Sequence, residues 1–206
     1  MKIVMLSGSP RPKRSTSLYL LDILKDKLAA ENEITMYQST GTNLAALAAD
    51  LSGSDVFVIA CPLYVDGVPS NLLQALSAVQ QASITGREKI RVYTLVNNGF
   101  YDAAQNSIAI DILWNWCDQC GFQRGCAVGI GAGEMVQMAP MGHGPLVNLG
   151  KAIDRLVKTI EAGSAQNDLF VEPNLPRFLY KLAAHYGWRK QAKENGLKSA
   201  AIRKTE

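Results

Sequence analysis

Short apolar runs alternate with stretches of helical spacing along most of the chain. Lys2–Leu6, Ile34–Tyr37, Asp55–Cys61, Lys89–Val96 and Cys126–Ile130 predict five strands. Asp55–Cys61 (Asp-Val-Phe-Val-Ile-Ala-Cys) is the most continuous of them and reads as buried on both faces, as parallel strands are. Ser17–Ala30, Asn43–Leu51, Ser70–Gln81, Ala104–Cys120 and Leu146–Ala162 predict helices; in the first, Leu18, Leu21, Leu24 and Leu28 recur at helical spacing. Strands separated by helices imply βαβ units, a parallel sheet and helices on both of its faces. Right-handed crossovers leave two strand orders, the dinucleotide-binding order and 2-1-3-4-5. In either, ligands bind beyond the carboxyl ends of the strands, so the loops there decide function.

After Gly163 the character changes. Ser164–Pro176 has little periodicity and contains Pro173 and Pro176. Arg177–His185 and Trp188–Asn195 predict two short helices separated by Gly187. Residues 1–163 therefore read as one domain and 164–206 as a helical C-terminal extension that is not an independent domain.

Composition adds a core and removes a membrane span. The 206 residues are 48% hydrophobic and 19% charged, enough to bury a real core. No stretch approaches the roughly 20 apolar residues of a spanning helix. The N-terminal apolar run is too short for a signal peptide, so the expected location is cytoplasmic. Charge is divided unevenly. Residues 177–206 carry eight Lys or Arg against Glu194 and Glu206, a net +6, which leaves the rest of the chain at −3 of the overall +3. A basic tail of this kind reads as a contact with nucleic acid or a membrane, or as the solvated face of a helix.

Ser7-Gly8-Ser9-Pro10-Arg11-Pro12-Lys13-Arg14-Ser15-Thr16-Ser17 follows the first strand and precedes a helix. A helix N-terminus offers unpaired N–H groups and partial positive charge, the basis of a phosphate site. Ser9, Ser15, Thr16 and Ser17 add hydroxyl donors, and Arg11, Lys13 and Arg14 raise the local potential. The spacing is neither a nucleoside-triphosphate P-loop nor a Gly-x-Gly-x-x-Gly dinucleotide fingerprint. A hydroxyl-rich loop without metal ligands suits a monophosphate ester such as FMN. The competing reading is an ordinary βα turn with a serine N-cap.

Two further loops carry ligand-compatible chemistry. Cys61–Ser70, after the third strand, presents Leu63, Tyr64 and Val65 as cover for an apolar ring face, with backbone N–H groups for a polar ring edge. Val96-Asn97-Asn98-Gly99-Phe100-Tyr101-Asp102, after the fourth strand, holds an Asn-Gly turn whose N–H groups suit an edge that gains negative charge. Ile130–Glu134, after the fifth strand, is Gly-rich and ends in an acid with no evident role. Met135–Gly144 reads as a lid, a subunit surface or loop filler. Cys117-Asp118-Gln119-Cys120 lies at the end of a helix, the wrong end for an activated thiol. Cys126 brings the local count to three, short of a four-thiolate cluster. With Cys61 they are expected to be free structural thiols, and His143 and His185 structural as well.

Gly8-Ser9-Pro10-Arg11 followed by Ser15-Thr16 resembles the phosphate loop of NAD(P)H-dependent FMN reductases, relatives of the iron-sulfur flavoproteins. Pro62-x-Tyr64 resembles the flavin-cradling loop of that family, and Asn97-Asn98-Gly99-Phe100-Tyr101 resembles a loop in one of its branches. Many members carry Gly where this chain has Arg14. The resemblance covers residues 1–160. It implies a flavodoxin-like three-layer α/β sandwich with a five-stranded parallel sheet of order 2-1-3-4-5. It implies FMN held by Ser9, Arg11, Ser15, Thr16 and Ser17 at the phosphate and by Pro62, Leu63, Tyr64, Val65, Asn97, Asn98, Gly99, Phe100 and Tyr101 around the ring. NAD(P)H would be the hydride donor. A quinone, free flavin, azo or nitro compound or metal ion would accept the electrons in ping-pong turnover. The flavin would carry the chemistry, with no catalytic side chain and no metal site. The partners expected are a small-molecule acceptor and further copies of the chain in a homodimer or homotetramer, with no nucleic acid. The rival readings are a flavodoxin-type electron carrier and a binding or regulatory module on the same fold.

Overall fold

The computed structural model describes residues 1–41 and 43–197. Six parallel strands form one sheet: β1 (Lys2–Ser7), β2 (Glu33–Gln38), β3 (Val56–Pro62), β4 (Arg91–Asn97), β5 (Gln123–Ile130) and β6 (Leu169–Val171). Their order is β2-β1-β3-β4-β5-β6. The helices are α1 (Thr16–Leu28), α2 (Leu44–Leu51), α3 (Ser70–Gln81), α4 (Ser107–Gln119), α5 (Val147–Glu161) and α6 (Arg177–Glu194).

The alternation of side chains along each strand divides the core in two. Ile3 and Met5 of β1, Val56 and Val58 of β3, and Val128 and Ile130 of β5 face α1 and α5. Val4, Leu6, Phe57, Ile59 and Val96 face α2, α3 and α4. β3 is covered on both sides, which is why Val56–Cys61 is apolar without interruption. Local chemistry starts the helices: Ser15 Oγ accepts from Leu18 N at 3.1 Å as the N-cap of α1, and Asn43 caps α2.

The expected five-stranded sheet is corrected to six. The added strand, β6, comes from the segment beyond Gly163 that shows no periodicity. It pairs Leu169 with Val128 and Val171 with Ile130. Asp168 holds it in place: one carboxylate oxygen accepts from Ala127 N at 2.7 Å and the other from Trp114 Nε1 at 2.9 Å. Phe170 lies across Gly129, where a Cβ would stand 2.7 Å from its ring. A three-residue strand carries too few positions to register as a period; side-chain hydrogen bonds and one glycine place it.

The chain divides into a compact unit, Met1–Pro173, and a second unit beginning at Asn174. In the second unit, the two short helices expected around Gly187 are one continuous helix, α6. An interior glycine costs a helix only about 1 kcal/mol relative to alanine, too little to break it. Lys198, Arg203 and Lys204 of the basic tail lie outside the described residues. Among the described residues, no helix is long and apolar enough to cross a membrane.

Candidate functional site

The cavity of interest lies beyond the carboxyl ends of β1, β3, β4 and β5. Its volume is about 180 Å³. In the sheet order, β1 connects outward to β2 on one side while β3, β4, β5 and β6 follow on the other. That reversal puts a crevice between the loops of β1 and β3, the usual ligand position in open α/β sheets.

Of the residues singled out in the sequence, Ser9, Arg11, Ser15, Thr16, Ser17, Pro62, Leu63, Tyr64, Asn97, Asn98 and Gly99 line the cavity. Val65, Phe100 and Tyr101 are not among its lining residues. Val65 is fully exposed at the tip of a tight turn closed by reciprocal bonds between Tyr64 and Gly67, at 2.9 and 3.0 Å. Val65 and Asp66 both adopt left-handed backbone there, with φ of 48° and 58°. Phe100 is turned to solvent. Arg14, Gly133 and Glu134 join the lining.

The hydroxyls of the first loop have divided roles. Ser9 Oγ accepts from Arg11 N at 3.2 Å, and Ser15 Oγ caps α1. Each is buried, and each keeps its own proton for donation. Thr16 and Ser17 spend theirs within the protein. Thr16 Oγ1 donates to Gly133 O at 3.1 Å, and Ser17 Oγ donates to Asn97 Oδ1 at 3.1 Å. These two tie the phosphate-type loop to the loops after β5 and β4. What Thr16 and Ser17 still offer a ligand is their backbone N–H groups, which at the start of α1 have no intrahelical acceptor.

The amides of the other loops are largely committed. Leu63 N donates to Asn97 O, Asn98 N to Ile130 O, and Phe100 N to Asn98 Oδ1. Asn98 is 2% exposed and its amide also donates to Asp102 O, so it shapes the turn rather than facing the cavity with both polar atoms.

Gly133 is the hub of the site. Its N–H donates to Asn98 O at 2.7 Å while its carbonyl receives Thr16. A Cβ at 133 would stand 2.9 Å from Asn98 O and 3.0 Å from Asn97 Nδ2. The signal available in the sequence is a glycine just past the carboxyl end of a strand, where close backbone approach is common.

Electrostatics favour an anion at one end. Arg11 and Arg14 are exposed at the rim, and among the described residues neither forms an ion pair. Arg14 holds a left-handed backbone at φ 55°, a conformation that favours glycine. Glu134 reaches over Gly99, within 3.9 Å of where a side chain there would begin. The cysteines are not part of the cavity lining: all four are buried and none is in a disulfide, and burial pushes the Cys61 and Cys117 thiols up to about 12. Among the described residues no group of His, Cys, Asp and Glu is placed to hold a metal.

No family model and no curated protein matches the chain. Solved structures do. A short-chain flavodoxin associated with a bacterial microcompartment gives a TM-score of 0.56 at 16% identity, over 80% of this chain and 99% of that one. An NADH:FMN oxidoreductase in its apo form gives 0.56 at 14% identity, over 79% and 87%. A flavodiiron core from a Synechocystis strain gives 0.54 at 13% identity; it is matched over 78% of this chain, which spans only 36% of that larger one. The fold is flavodoxin-like.

Proposed function

We propose that this chain is an FMN-dependent oxidoreductase that takes hydride from NAD(P)H and passes electrons to a small acceptor. The observation that carries the reading is the convergence of the loops after β1, β3, β4 and β5 on one cavity at the switch point of the sheet.

The residues present fit the cofactor. A phosphate dianion would be held by the Thr16 and Ser17 N–H groups, the Ser9 and Ser15 hydroxyls and the field of Arg11 and Arg14. Leu63 and Tyr64 supply apolar cover for an aromatic ring. Glu134, Asn97 and Gly99 would supply polar groups for the ring's polar edge. When bound, FMN supplies reversible two-electron chemistry between a nicotinamide and a second substrate. The protein's part would be to hold and orient the group. No side chain of the cavity is required as acid or base.

The test is an absorbance spectrum of the purified protein after incubation with FMN, followed by rapid mixing with NADH and with NADPH under anaerobic conditions. The expected result is a bound flavin spectrum that bleaches with at least one of the two. Bound flavin that neither nicotinamide bleaches identifies an electron carrier instead. No flavin binding removes the cofactor assignment.

A further inference from the structure

Glu134 ends the glycine-rich segment after β5 and is the one carboxylate among the residues lining the cavity. Three hydrogen bonds fix the backbone that carries it. Ala132 N donates to Phe100 O at 2.5 Å, Gly133 N donates to Asn98 O at 2.7 Å, and Gly133 O accepts from Thr16 Oγ1. Ala132 is 1% exposed and holds a left-handed backbone at φ 51°, a conformation unfavourable to a residue with a Cβ. This turn carries Glu134 over Gly99, with Oε1 within 3.9 Å of where a side chain there would begin. The other charged lining residues are Arg11 and Arg14. Among the described residues Glu134 pairs with neither of them.

We propose that Glu134 weakens the cavity's hold on reduced FMN relative to oxidised FMN and so lowers the reduction potential of the bound cofactor. The inference rests on the cofactor assignment above and gives this acid a role in it. A carboxylate that served to neutralise the rim cations would pair with them. One that served affinity would be misplaced, because the ligand carries a phosphate dianion. At neutral pH, reduction adds two electrons and one proton to the ring, which leaves the ring with one more negative charge. A fixed carboxylate in the same cavity repels that added charge and leaves the neutral oxidised ring almost untouched. The repulsion acts through distance rather than contact, so it requires no particular orientation of the ring. The cofactor beside Glu134 is then a stronger reductant toward its acceptor than it would be beside a neutral side chain.

The experiment is an anaerobic reduction of the FMN-loaded protein in equilibrium with a reference dye, with no nicotinamide present. Titration of the apo protein with oxidised FMN accompanies it. In Glu134→Gln, which keeps the shape and removes the charge, the ratio of the dissociation constants for reduced and oxidised FMN is expected to fall roughly tenfold. For a two-electron couple that change is a rise of about 30 mV in the midpoint. Glu134→Ala is expected to give the same rise and Glu134→Asp to stay near the parent. Glu161→Gln, at the far end of α5 and outside the cavity lining, is expected to leave the midpoint where it was. The gap between the parent and Glu134→Gln is expected to narrow as salt is raised. Three results overturn the proposal: both neutral variants keep the parent's midpoint, Glu134→Asp shifts it as far as Glu134→Gln, or Glu161→Gln shifts it equally. A parent that binds no FMN removes the cofactor assignment and this inference together. Bound FMN with an unshifted midpoint removes this inference alone.

Discussion

Ser17 donates its hydroxyl proton to Asn97 Oδ1 at 3.1 Å, joining the first turn of α1 to the end of β4 across 80 residues of sequence. Both residues are buried, at 1% and 8% exposure. A serine that reads as a phosphate ligand by its position therefore serves, through its side chain, to set the distance between two sides of the cavity. Ser17→Ala leaves Asn97 Oδ1 buried without that donor and is expected to cost about 1–2 kcal/mol. Urea unfolding of the apo protein measures it. An unchanged midpoint would show that the bond holds nothing in place.

Gly133 joins the same network from the loop after β5. Any side chain there meets the Asn98 carbonyl and the Asn97 amide. Gly133→Ala is expected to destabilise the protein by about 1–3 kcal/mol, the usual cost of forcing atoms into a packed site. It should also weaken FMN binding more than Gly142→Ala, a change at an open left-handed loop position. Thermal melting with and without FMN separates the two effects. Equal FMN affinity in both variants would remove Gly133 from the site.

Arg14 offers a prediction with opposite signs on two measurements. Its left-handed backbone costs a non-glycine residue roughly 1 kcal/mol, which Arg14→Gly recovers. The same change removes an unpaired guanidinium from the cavity rim. The variant is expected to melt higher without ligand and to bind FMN severalfold more weakly, with a shallower dependence on salt. A variant that binds FMN as tightly as the parent would place Arg14 outside the phosphate field.

Asp168 anchors the edge of the sheet through two hydrogen bonds, to Ala127 N and Trp114 Nε1. Hydrogen bonds to a charged group contribute about 1.5–3 kcal/mol, so Asp168→Ala is expected to destabilise by that order. Amide exchange should rise first at Ala127 and along β6. Protection there equal to the parent's would mean that strand pairing alone holds β6.

The thiols and Tyr93 set an alkaline limit. Burial pushes Cys61, Cys117 and Tyr93 up to about 12 in the folded chain, from ordinary values of 9.0 and 10.0. Between the two values the unfolded chain has released protons that the folded chain retains. Stability from these groups is therefore fully present below about pH 9 and falls as pH rises toward 12. Denaturant midpoints are expected to drop over that window, and a thiol reagent at neutral pH to label native protein far more slowly than unfolded protein. Rapid native labelling would contradict the burial of all four cysteines.

Much of this architecture is legible in the order of residues. Val56–Cys61 is apolar without a break because a parallel strand covered on both sides favours apolar side chains on each face. Ser15 marks a helix start because a side-chain oxygen must replace a missing backbone partner. The loops after β1, β3 and β4 announce a ligand site because hydroxyl, proline and Asn-Gly residues fall just past the carboxyl ends of parallel strands. Tertiary structure decided what depends on distance between segments. It recruited Leu169–Val171 as a sixth strand through Asp168, carried α6 unbroken through Gly187, and turned Val65 and Phe100 to solvent. It also spent the Thr16 and Ser17 protons on Gly133 and Asn97. A local pattern records which groups can donate or pack. Which partner each one meets is fixed only when strands distant in sequence lie side by side.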